Sequence, residues 1–314
     1  MSGILALGAY VPERVMTNAD FEAYLDTSDE WIVTRTGIKE RRVAAEDEYT
    51  SDLAFKAVED LLRRHPGALE GVDAVIVATN TPDALFPDTA ALVQARFGLK
   101  AFAYDLLAGC PGWIYALAQA HALVEAGLAQ KVLAVGAEAL SKIIDWNGDG
   151  GGAAVVGKVR EGYGFRSFVL GADGTGAKEL YHACVAPRLP DGTSMKNRLY
   201  MNGREVFKFA VRVMNTATLE AIEKAGLTPE DIRLFVPHQA NLRIIDAARE
   251  RLGLPWERVA VNVDRYGNTS TASIPLALKE AVDAGRIREG DHVLLVSFGA
   301  GLTWAAAVLT WGGA

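Results

Sequence analysis

Residues 104–113 read YDLLAGCPGW and place Cys110 where an apolar run gives way to small residues. This change predicts the end of a strand and the first turn of a helix. A thiol at a helix start lies among unpaired backbone N–H groups, at the positive end of the helix dipole, and both favour the thiolate. We therefore expect a nucleophile whose pKa lies below the ordinary value of about 8.5. From this segment alone, a buried structural cysteine is an equally good interpretation.

Two polar residues of the second half could complete a catalytic site with this cysteine. His238 follows the apolar run in LFVPHQAN, and Asn268 lies in YGNTSTASIP. Polar side chains that follow strands gather at the edge where open α/β sheets bind ligands. Each also has a structural interpretation, because a histidine after a strand can be a packed residue and Asn-Thr-Ser is common in turns and caps. Together they would place two hydrogen-bond donors beside a nucleophile.

Short apolar, β-branched runs alternate with longer segments of helical periodicity. This alternation is typical of a parallel sheet covered by helices. A helix is predicted over residues 112–126. Strands are predicted over residues 73–80, 131–139, 234–239, 259–263 and 292–299.

The two halves of the chain also resemble each other at a nearly constant offset. VEAG at Val124 matches VDAG at Val282, and KVLAV matches HVLLV, with shifts of 158 to 161 residues. We interpret the matches as an internal duplication. The expected halves are residues 1–163, which carry the cysteine, and residues 164–314, which carry the histidine and the asparagine.

Composition restricts the class of protein. With 314 residues, 50% hydrophobic and 23% charged, the chain is long enough for two domain-sized layers and typical of a soluble globular protein. A net charge of −7 argues against a nucleic-acid partner. The sequence has no apolar run of about 18 residues and no signal-peptide pattern, which predicts no membrane association and a cytoplasmic location. Two cysteines outside any C-x-x-C or His/Cys cluster argue against a disulfide framework and a zinc site.

Basic and glycine-rich segments each have a simple interpretation. The basic clusters TRTGIKERR and NLRIIDAARERLG are expected on solvated faces; their basic residues are Arg35, Lys39, Arg41 and Arg42, and Arg243, Arg249 and Arg251. The glycine-rich segments 148–157 and 171–178 could be dinucleotide loops of an NAD-dependent oxidoreductase. The first is followed by a β-like run, where the dinucleotide fingerprint requires a helix, so this alternative is disfavoured.

Four motifs in order resemble the β-ketoacyl-acyl-carrier-protein synthase III family, the condensing enzymes that start type II fatty-acid synthesis. They are AGCPGW (108–113), PHQANLRI (237–244), YGNTSTASIP (266–275) and SFGAGLTW (297–304). The resemblance runs almost end to end and includes TSDEWIVTRTGIKERR (27–42) and MNGREVFKFAV (201–211). It implies an α/β, thiolase-like fold, layered, with two duplicated βαβαβ-type halves related by a pseudo-twofold.

The resemblance also implies a reaction. An acyl-CoA, in the first instance acetyl-CoA, would acylate Cys110, with the backbone N–H groups of Cys110 and Ala300 holding the oxyanion. Malonyl-acyl-carrier protein would then lose CO2, and His238 and Asn268 would stabilise the resulting enolate. Attack on the acyl-cysteine would give a 3-ketoacyl-carrier protein. The CoA thioester is the substrate, and neither a cofactor nor a metal is implied.

Binding residues follow from the same resemblance. The residues implied in CoA binding are Thr27, Trp31, Arg35, Gly203, Phe207, Asn241 and Arg243. Lys208 and Arg243 would attract the acidic carrier protein, and Phe86 would cross a homodimer interface to close the partner's acyl pocket. Without the resemblance, Trp31 and Phe207 would be interpreted as core residues.

Related families leave some alternatives open. Elongating synthases pair their cysteine with two histidines, so Asn268 favours the initiating type, and Cys184 in YHACVAPRLP does not match the second cysteine of thiolases. Plant-type polyketide synthases and hydroxymethylglutaryl-CoA synthases share the Cys-His-Asn set and stay as alternatives. A binding module without catalysis is an alternative of a different class. Covalent uptake of an acyl group distinguishes the two, because a condensing enzyme takes up the group and a binding module does not.

The sequence departs from the family after Asn147. Family members carry a stretch of the form D-R-x-T, several apolar residues and Phe before the segment that matches Gly148 onward, and this chain lacks it. The gap is either a true deletion or a segment left out of this sequence. We expect the second, with the Cα atoms of Asn147 and Gly148 farther apart than the 3.8 Å of a trans peptide.

Overall fold

The computed structural model describes residues 1–144, 147–196 and 198–314. The strands in these ranges are β1 (Ser2–Tyr10), β2 (Arg14–Thr17), β3 (Glu40–Val43), β4 (Val72–Ala78), β5 (Phe102–Leu106), β6 (Lys131–Glu138), β7 (Gly150–Lys158), β8 (Gly164–Ala172), β9 (Leu180–Tyr181), β10 (Tyr200–Met201), β11 (Ile232–Pro237), β12 (His292–Gly299) and β13 (Thr303–Thr310). The α-helices are α1 (Asn18–Glu22), α2 (Asp29–Thr36), α3 (Thr50–Arg64), α4 (Thr89–Arg96), α5 (Gly112–Glu125), α6 (Gly203–Lys224), α7 (Leu242–Leu252), α8 (Val263–Tyr266) and α9 (Ser273–Asp283).

Two mixed sheets, of five and four strands, have the same arrangement over four strands. The first runs β1-β7-β6-β4-β5 and the second β8-β13-β12-β11. In each sheet the first two neighbouring pairs are antiparallel and the next pair is parallel. The parallel sheet expected from the alternation of strand-like and helical segments therefore holds for only part of each sheet. The reason is visible between β12 and β13, because a three-residue connection can join only antiparallel strands.

Helices α5 and α9 lie between the two sheets. One continuous core cluster contains Trp113 and Leu117 of α5 and Leu278 of α9, together with side chains from both sheets, such as Ile76 and Leu295. Helices α3 and α4 cover the outer face of the first sheet, and α6 and α7 cover that of the second. The result is five alternating layers of helices and sheets, in which the ends of α5 and α9 lie close to both sheets.

Four of the five predicted strands are confirmed with ends that differ by at most two residues, and the predicted helix 112–126 is confirmed as α5. The strand predicted over residues 259–263 is wrong. Val259 makes a single bridge to Phe235. Beyond it, the backbone N–H groups of Asn262 and Val263 donate to Gln239 Oε1, at 2.9 and 3.1 Å, so the chain turns into α8 instead of extending along β11.

Candidate active site

One cavity of about 610 Å³ brings together Cys110, His238 and Asn268. The cavity is also lined by five of the residues expected to contact CoA, namely Thr27, Trp31, Gly203, Phe207 and Asn241. The remaining expected residues lie outside its wall: Arg35, Phe86, Lys208, Arg243 and Ala300. The volume lies within the usual range for small-molecule sites, roughly 300–1,000 Å³.

Cys110 lies between the end of β5 and the start of α5, tightly packed against the end of β12. A Cβ atom at Gly299 would lie 2.5 Å from the backbone N of Cys110. Gly109 has φ +67°, and a Cβ there would lie 2.7 Å from the carbonyl oxygen of Ala300. Both positions therefore require glycine, the second also because its backbone is left-handed. A larger residue at either position would push the nucleophile loop away from the second sheet.

A threonine fastens the same two segments together. The hydroxyl of Thr303 lies 2.8 Å from the carbonyl oxygens of both Ala108 and Ala300 and has one proton to share between them. The backbone N of Ala300 lies 3.0 Å from the position that a Gly109 Cβ would take. The amide expected to help hold an oxyanion is thus beside the nucleophile loop.

The pKa of Cys110 is shifted in the direction opposite to the expectation from the sequence. Cys110 is partly exposed, to the cavity, but the protein around it raises the pKa of its thiol to about 11 through burial. The nearby Ser270 hydroxyl lowers this pKa and the nearby Glu138 raises it. The expected thiolate is therefore wrong for the free protein. A helix terminus contributes at most about 2 kcal/mol, whereas desolvation can shift a pKa by 3–5 units.

His238 is buried and neutral. Its backbone N donates to Val296 at 2.8 Å, and its ring Nδ1 lies 2.6 Å from the Ser273 hydroxyl. The Phe298 ring meets the imidazole edge to face, with centroids 5.4 Å apart. Burial lowers the pKa of His238 to about 3, so the ring carries no charge near neutral pH.

Asn268 is held by the loop that carries it. Its Oδ1 accepts a hydrogen bond from the backbone N of Ser270 at 2.9 Å, and its carbonyl oxygen accepts one from Gly148 at 3.1 Å. A carboxamide has separate acceptor and donor ends. With the acceptor end in use, the Nδ2 end is the one available to a ligand.

The mouth of the cavity is formed by α2 and α7. Trp31 is 57% exposed, and the guanidinium of Arg35 lies 6.0 Å from the centre of its ring. Asn241 donates from Nδ2 to the backbone oxygen of Arg35 at 2.9 Å, which joins the two helices. Within the described residues Thr27 Oγ1 is buried without a hydrogen-bond partner. An unpaired hydroxyl in a cavity wall is suited to a polar group of a ligand.

Arg41 contradicts the expectation of a solvated basic face. It is 1% exposed, lines the cavity, donates to Asn18 Oδ1 at 2.9 Å and lies 4.3 Å from the centre of the Phe21 ring. Burial lowers its pKa to about 10. The sequence holds no signal for this, because a buried arginine in a run of basic residues looks the same as its solvated neighbours.

Glu138 is a second buried group that the sequence interpretation did not single out. It ends β6, is fully buried, and accepts hydrogen bonds from Asn80, Thr81 and Thr271. Burial raises its pKa. A glutamate at the end of an apolar strand was the available signal, since an ionisable group there must find partners.

The expected docking and interface residues lie on the surface. Lys208 on α6 donates to Glu205 at 2.7 Å, and the Arg243 guanidinium lies 5.4 Å from the Phe207 ring. Phe86 is 83% exposed. Cys184 is exposed, far in sequence from the nucleophile loop.

The dinucleotide-binding alternative finds no supporting geometry in the first glycine-rich segment. Residues 150–157 of this segment lie in strand β7, which does not fit a dinucleotide loop. Within the described ranges, no three or more His, Cys, Asp or Glu residues are grouped so that they could hold a metal ion. None of the helices in those ranges is long and apolar enough to cross a membrane.

Comparison with known proteins identifies the family. Two family models match, 3-oxoacyl-[acyl-carrier-protein] synthase III over residues 104–174 and its C-terminal model over residues 222–311. A β-ketoacyl-[acyl-carrier-protein] synthase III of Deinococcus deserti is 56% identical, over 99% of this chain and 91% of the relative. The chain belongs to the β-ketoacyl-acyl-carrier-protein synthase III family.

Solved structures agree with this assignment. The β-ketoacyl-acyl-carrier-protein synthase III of Thermus thermophilus is 97% identical, with a TM-score of 0.99 over 99% of this chain and 100% of that chain. The priming β-ketosynthase of the R1128 polyketide pathway is 37% identical, with a TM-score of 0.91 over 100% of this chain and 97% of that one. The resemblance, the thiolase-like α/β fold and the assignment as a condensing acyltransferase of fatty-acid synthesis are thereby confirmed.

The comparison also bears on the expected missing stretch. The alignment with the Deinococcus deserti relative spans 320 positions, so that relative carries at least six residues that this chain of 314 lacks. Asn147 lines the cavity and Gly148 is bonded to Asn268, so both sides of the junction reach the site. The separation of their Cα atoms stays a prediction.

Proposed function

We propose that the protein joins an acyl group from acyl-CoA to malonyl-acyl-carrier protein, with Cys110, His238 and Asn268 as its catalytic residues. The observation that supports this is the shared cavity, into which all three side chains reach from separate elements. The first half-reaction acylates Cys110, and the second uses His238 and Asn268. The division of the chain into halves 1–163 and 164–314 belongs to the same proposal, and the match between the four strands β8-β13-β12-β11 and the first four strands β1-β7-β6-β4 of the other sheet supports it.

In the first half-reaction the Cys110 sulfur attacks the thioester carbonyl of acetyl-CoA or a related acyl-CoA. Backbone N–H groups of Cys110 and Ala300 hold the oxyanion, in keeping with the contact between their segments. CoA leaves as a thiol and the acyl group stays on sulfur. Because the thiol is neutral in the free protein, its proton must pass to an acceptor during the attack.

In the second half-reaction malonyl-carrier protein loses CO2, and negative charge develops on its thioester oxygen. A Ser273 hydroxyl that donates to Nδ1 of His238 leaves a proton on Nε2, so the neutral ring can donate to this oxygen. Asn268 donates from Nδ2. The enolate carbon then attacks the acyl carbonyl, the bond from that carbon to the Cys110 sulfur breaks, and the 3-ketoacyl-carrier protein and free Cys110 are released. Donors of this kind contribute on the order of 10²–10³ in rate, so protein groups suffice and no cofactor is required.

The mouth of the cavity holds CoA. Trp31 offers an aromatic face to the adenine and Arg35 a guanidinium to the phosphates. The unpaired hydroxyl of Thr27 offers a polar contact. Gly203, Phe207 and Asn241 line the pantetheine path.

The protein works as a homodimer and docks an acidic carrier protein. Leu85, Phe86 and Leu107 are 69%, 83% and 77% exposed, and β5 is an edge strand, which supports a second copy covering this surface. Lys208 and Arg243 are exposed on the helices that flank the cavity and suit an acidic partner. A cytoplasmic location stays a prediction from the sequence.

The proposal is tested by incubating the protein with a panel of acyl-CoAs, weighing the intact protein, and then adding malonyl-carrier protein. We expect a mass increase equal to the acyl group, followed by its loss as the 3-ketoacyl product forms. The panel also reports which acyl chain is preferred. A protein that takes up no acyl group from any member of the panel contradicts the proposed function.

A further inference from the structure

Ser270 connects three groups of the site. Its hydroxyl is close enough to the Cys110 thiol and to the Glu138 carboxyl to lower the pKa of each. Asn80 Nδ2 bridges Ser270 Oγ, at 3.2 Å, and Glu138 Oε1, at 2.6 Å, and the backbone N of Ser270 holds Asn268 Oδ1 at 2.9 Å. Ser270 has φ +49°, and it is the one residue other than glycine in the described chain with a positive φ. Such a conformation is costly and persists where the surroundings hold it. The backbone is therefore held in an uncommon shape that points this hydroxyl between the nucleophile and a buried carboxyl.

Glu138 is prepared to accept a proton. Its carboxyl accepts hydrogen bonds from Asn80 Nδ2 at 2.6 Å, from the Asn80 backbone at 3.0 Å and from Thr81 Oγ1 at 2.8 Å. The Thr271 hydroxyl lies 3.1 Å from it. These partners are neutral, and among the described residues no cation forms an ion pair with this carboxyl. The neutral donors stabilise the ionised form and lower the pKa of Glu138, but burial outweighs them and raises this pKa, which makes the carboxylate a stronger base.

The hydroxyl of Ser270 has the right partners for a relay. Asn80 Nδ2 donates to Ser270 Oγ at 3.2 Å, and a serine oxygen can accept a second hydrogen bond while it donates one. The Cys110 thiol can donate the second hydrogen bond to Ser270 Oγ. The single proton of the Ser270 hydroxyl can then be donated to Glu138. This chain of bonds leads from the sulfur to the carboxylate.

His238 is poorly suited to take the thiol proton. Its ring carries the Ser273 contact on Nδ1, and its burial disfavours a charged imidazolium. A neutral thiol still has to lose its proton when the sulfur attacks a thioester. The first half-reaction therefore lacks a proton acceptor among Cys110, His238 and Asn268.

We propose that Ser270 and Glu138 form this acceptor. As the sulfur–carbon bond forms, the thiol proton moves to Ser270 Oγ and the Ser270 hydroxyl proton moves to the Glu138 carboxylate. As the bond between the carbonyl carbon and the CoA sulfur breaks, the Glu138 proton returns to Ser270 Oγ and the Ser270 hydroxyl proton passes to the CoA sulfur, so that CoA leaves as its thiol. Glu138 is again a carboxylate and no other reactant is consumed. Ser270 touches the reacting sulfur, and Glu138 acts through it; both roles rest on the proposed acylation of Cys110.

A purely electrostatic role for Glu138 predicts the opposite result. The carboxylate raises the pKa of Cys110, so its removal would ease thiolate formation and speed acylation. A relay loses its acceptor when the charge is removed, and acylation slows. The sign of the change in Glu138→Gln therefore separates the two roles.

The experiment measures single-turnover acylation by acetyl-CoA, followed by mass spectrometry, in Glu138→Gln, Ser270→Ala and the double variant. We expect each single variant to acylate at least tenfold more slowly, and the double variant to be no slower than the slower single. Alkylation of Cys110 by iodoacetamide at pH 10 should be unchanged or faster in Glu138→Gln, and an unchanged thermal unfolding midpoint of the variant separates this result from an unfolded site, in which an exposed cysteine would also react faster. Glu48→Gln is the matched control, since Glu48 is a buried carboxyl bonded to Lys56 and Tyr10 outside this cavity.

Acylation at the wild-type rate or faster in either single variant overturns the relay. Glu138→Asp covers the case in which Glu138→Gln does not fold. It keeps a carboxylate, at a longer distance from Ser270, so its acylation should be slowed less than that of Ser270→Ala. An equal or greater loss in Glu138→Asp also overturns the relay. If the wild-type protein itself takes up no acyl group, the proposed function fails and the relay fails with it.

Discussion

The side-chain oxygen of Asn268 accepts a hydrogen bond from the backbone N of Ser270 at 2.9 Å. This contact orients the carboxamide so that Nδ2 is the end left for a ligand in the cavity. Since the backbone N of Ser270 makes the bond, substitution of the Ser270 side chain preserves it. The donors of the second half-reaction and the hydroxyl that touches Cys110 can therefore be varied separately.

Replacing Asn268 by Asp should abolish the donor while keeping the acceptor that binds Ser270. We expect malonyl-carrier-protein decarboxylation to fall on the order of 10²-fold or more in Asn268→Asp, Asn268→Ala and His238→Ala, because one oxyanion donor is lost in each. Acyl uptake at Cys110 should persist. The measurement is CO2 release from labelled malonyl-carrier protein, and release at the wild-type rate in Asn268→Asp would show that this amide does not act on the enolate.

Cys110 alone should carry the acyl group. Cys184 is exposed and does not line the cavity, so it lacks the packed surroundings of the nucleophile loop. Peptide mapping after treatment with acetyl-CoA should find the label on Cys110, Cys110→Ala should take up none, and Cys184→Ala should label normally. Label on Cys184, or full labelling of Cys110→Ala, would refute the assignment.

The alkylation rate of Cys110 should climb steadily with pH. With a thiol pKa of about 11, the thiolate fraction and the iodoacetamide rate rise close to tenfold per pH unit from pH 7 to pH 10. Cys184 alkylation, resolved by peptide mapping, provides the internal comparison. A plateau near pH 7 would instead restore the thiolate expected from the helix start.

His238 should destabilise the fold in acid. Its folded pKa of about 3 lies below the unfolded value of about 6.5, so below pH 6.5 the unfolded chain binds a proton that the folded chain does not. Stability is therefore lost as pH falls from 6.5 toward 3, on the order of 3 kcal/mol at pH 4.5. Denaturant unfolding of the wild type and of His238→Gln at pH 7 and pH 4.5 measures the difference. An equal loss in both proteins would argue against a buried neutral imidazole.

Reversing charges beside the cavity should weaken use of the carrier protein. Rim charges act mainly on association, so the combined Lys208→Glu and Arg243→Glu variant should lower kcat/KM for malonyl-carrier protein several-fold, with a weaker salt dependence. Lys224→Glu is the control, because Lys224 lies at the far end of α6 and forms a similar exposed ion pair with Glu220. Unchanged kcat/KM in the combined variant would mean that docking lies elsewhere.

The choice of Cys110, His238 and Asn268 as candidates was possible from the sequence. Each of the three residues comes after an apolar run of the kind that forms strands. Small residues flank the cysteine and the asparagine. Helix α5 and four of the five predicted strands were also readable, because burial on one or both faces leaves a local hydrophobic pattern. The antiparallel strands that complete each sheet were not, since strand direction depends on which neighbour a segment meets.

Tertiary structure alone decided the chemistry of the nucleophile. The helix start that suggests a thiolate is a local feature, whereas the burial that keeps Cys110 protonated comes from segments distant in the chain, such as the end of β12 at Gly299. The burial of Arg41 and the meeting of Glu138 with Ser270 are decided in the same way. A sequence records which groups can ionise, but a pKa depends on the dielectric and partners that packing places around each group.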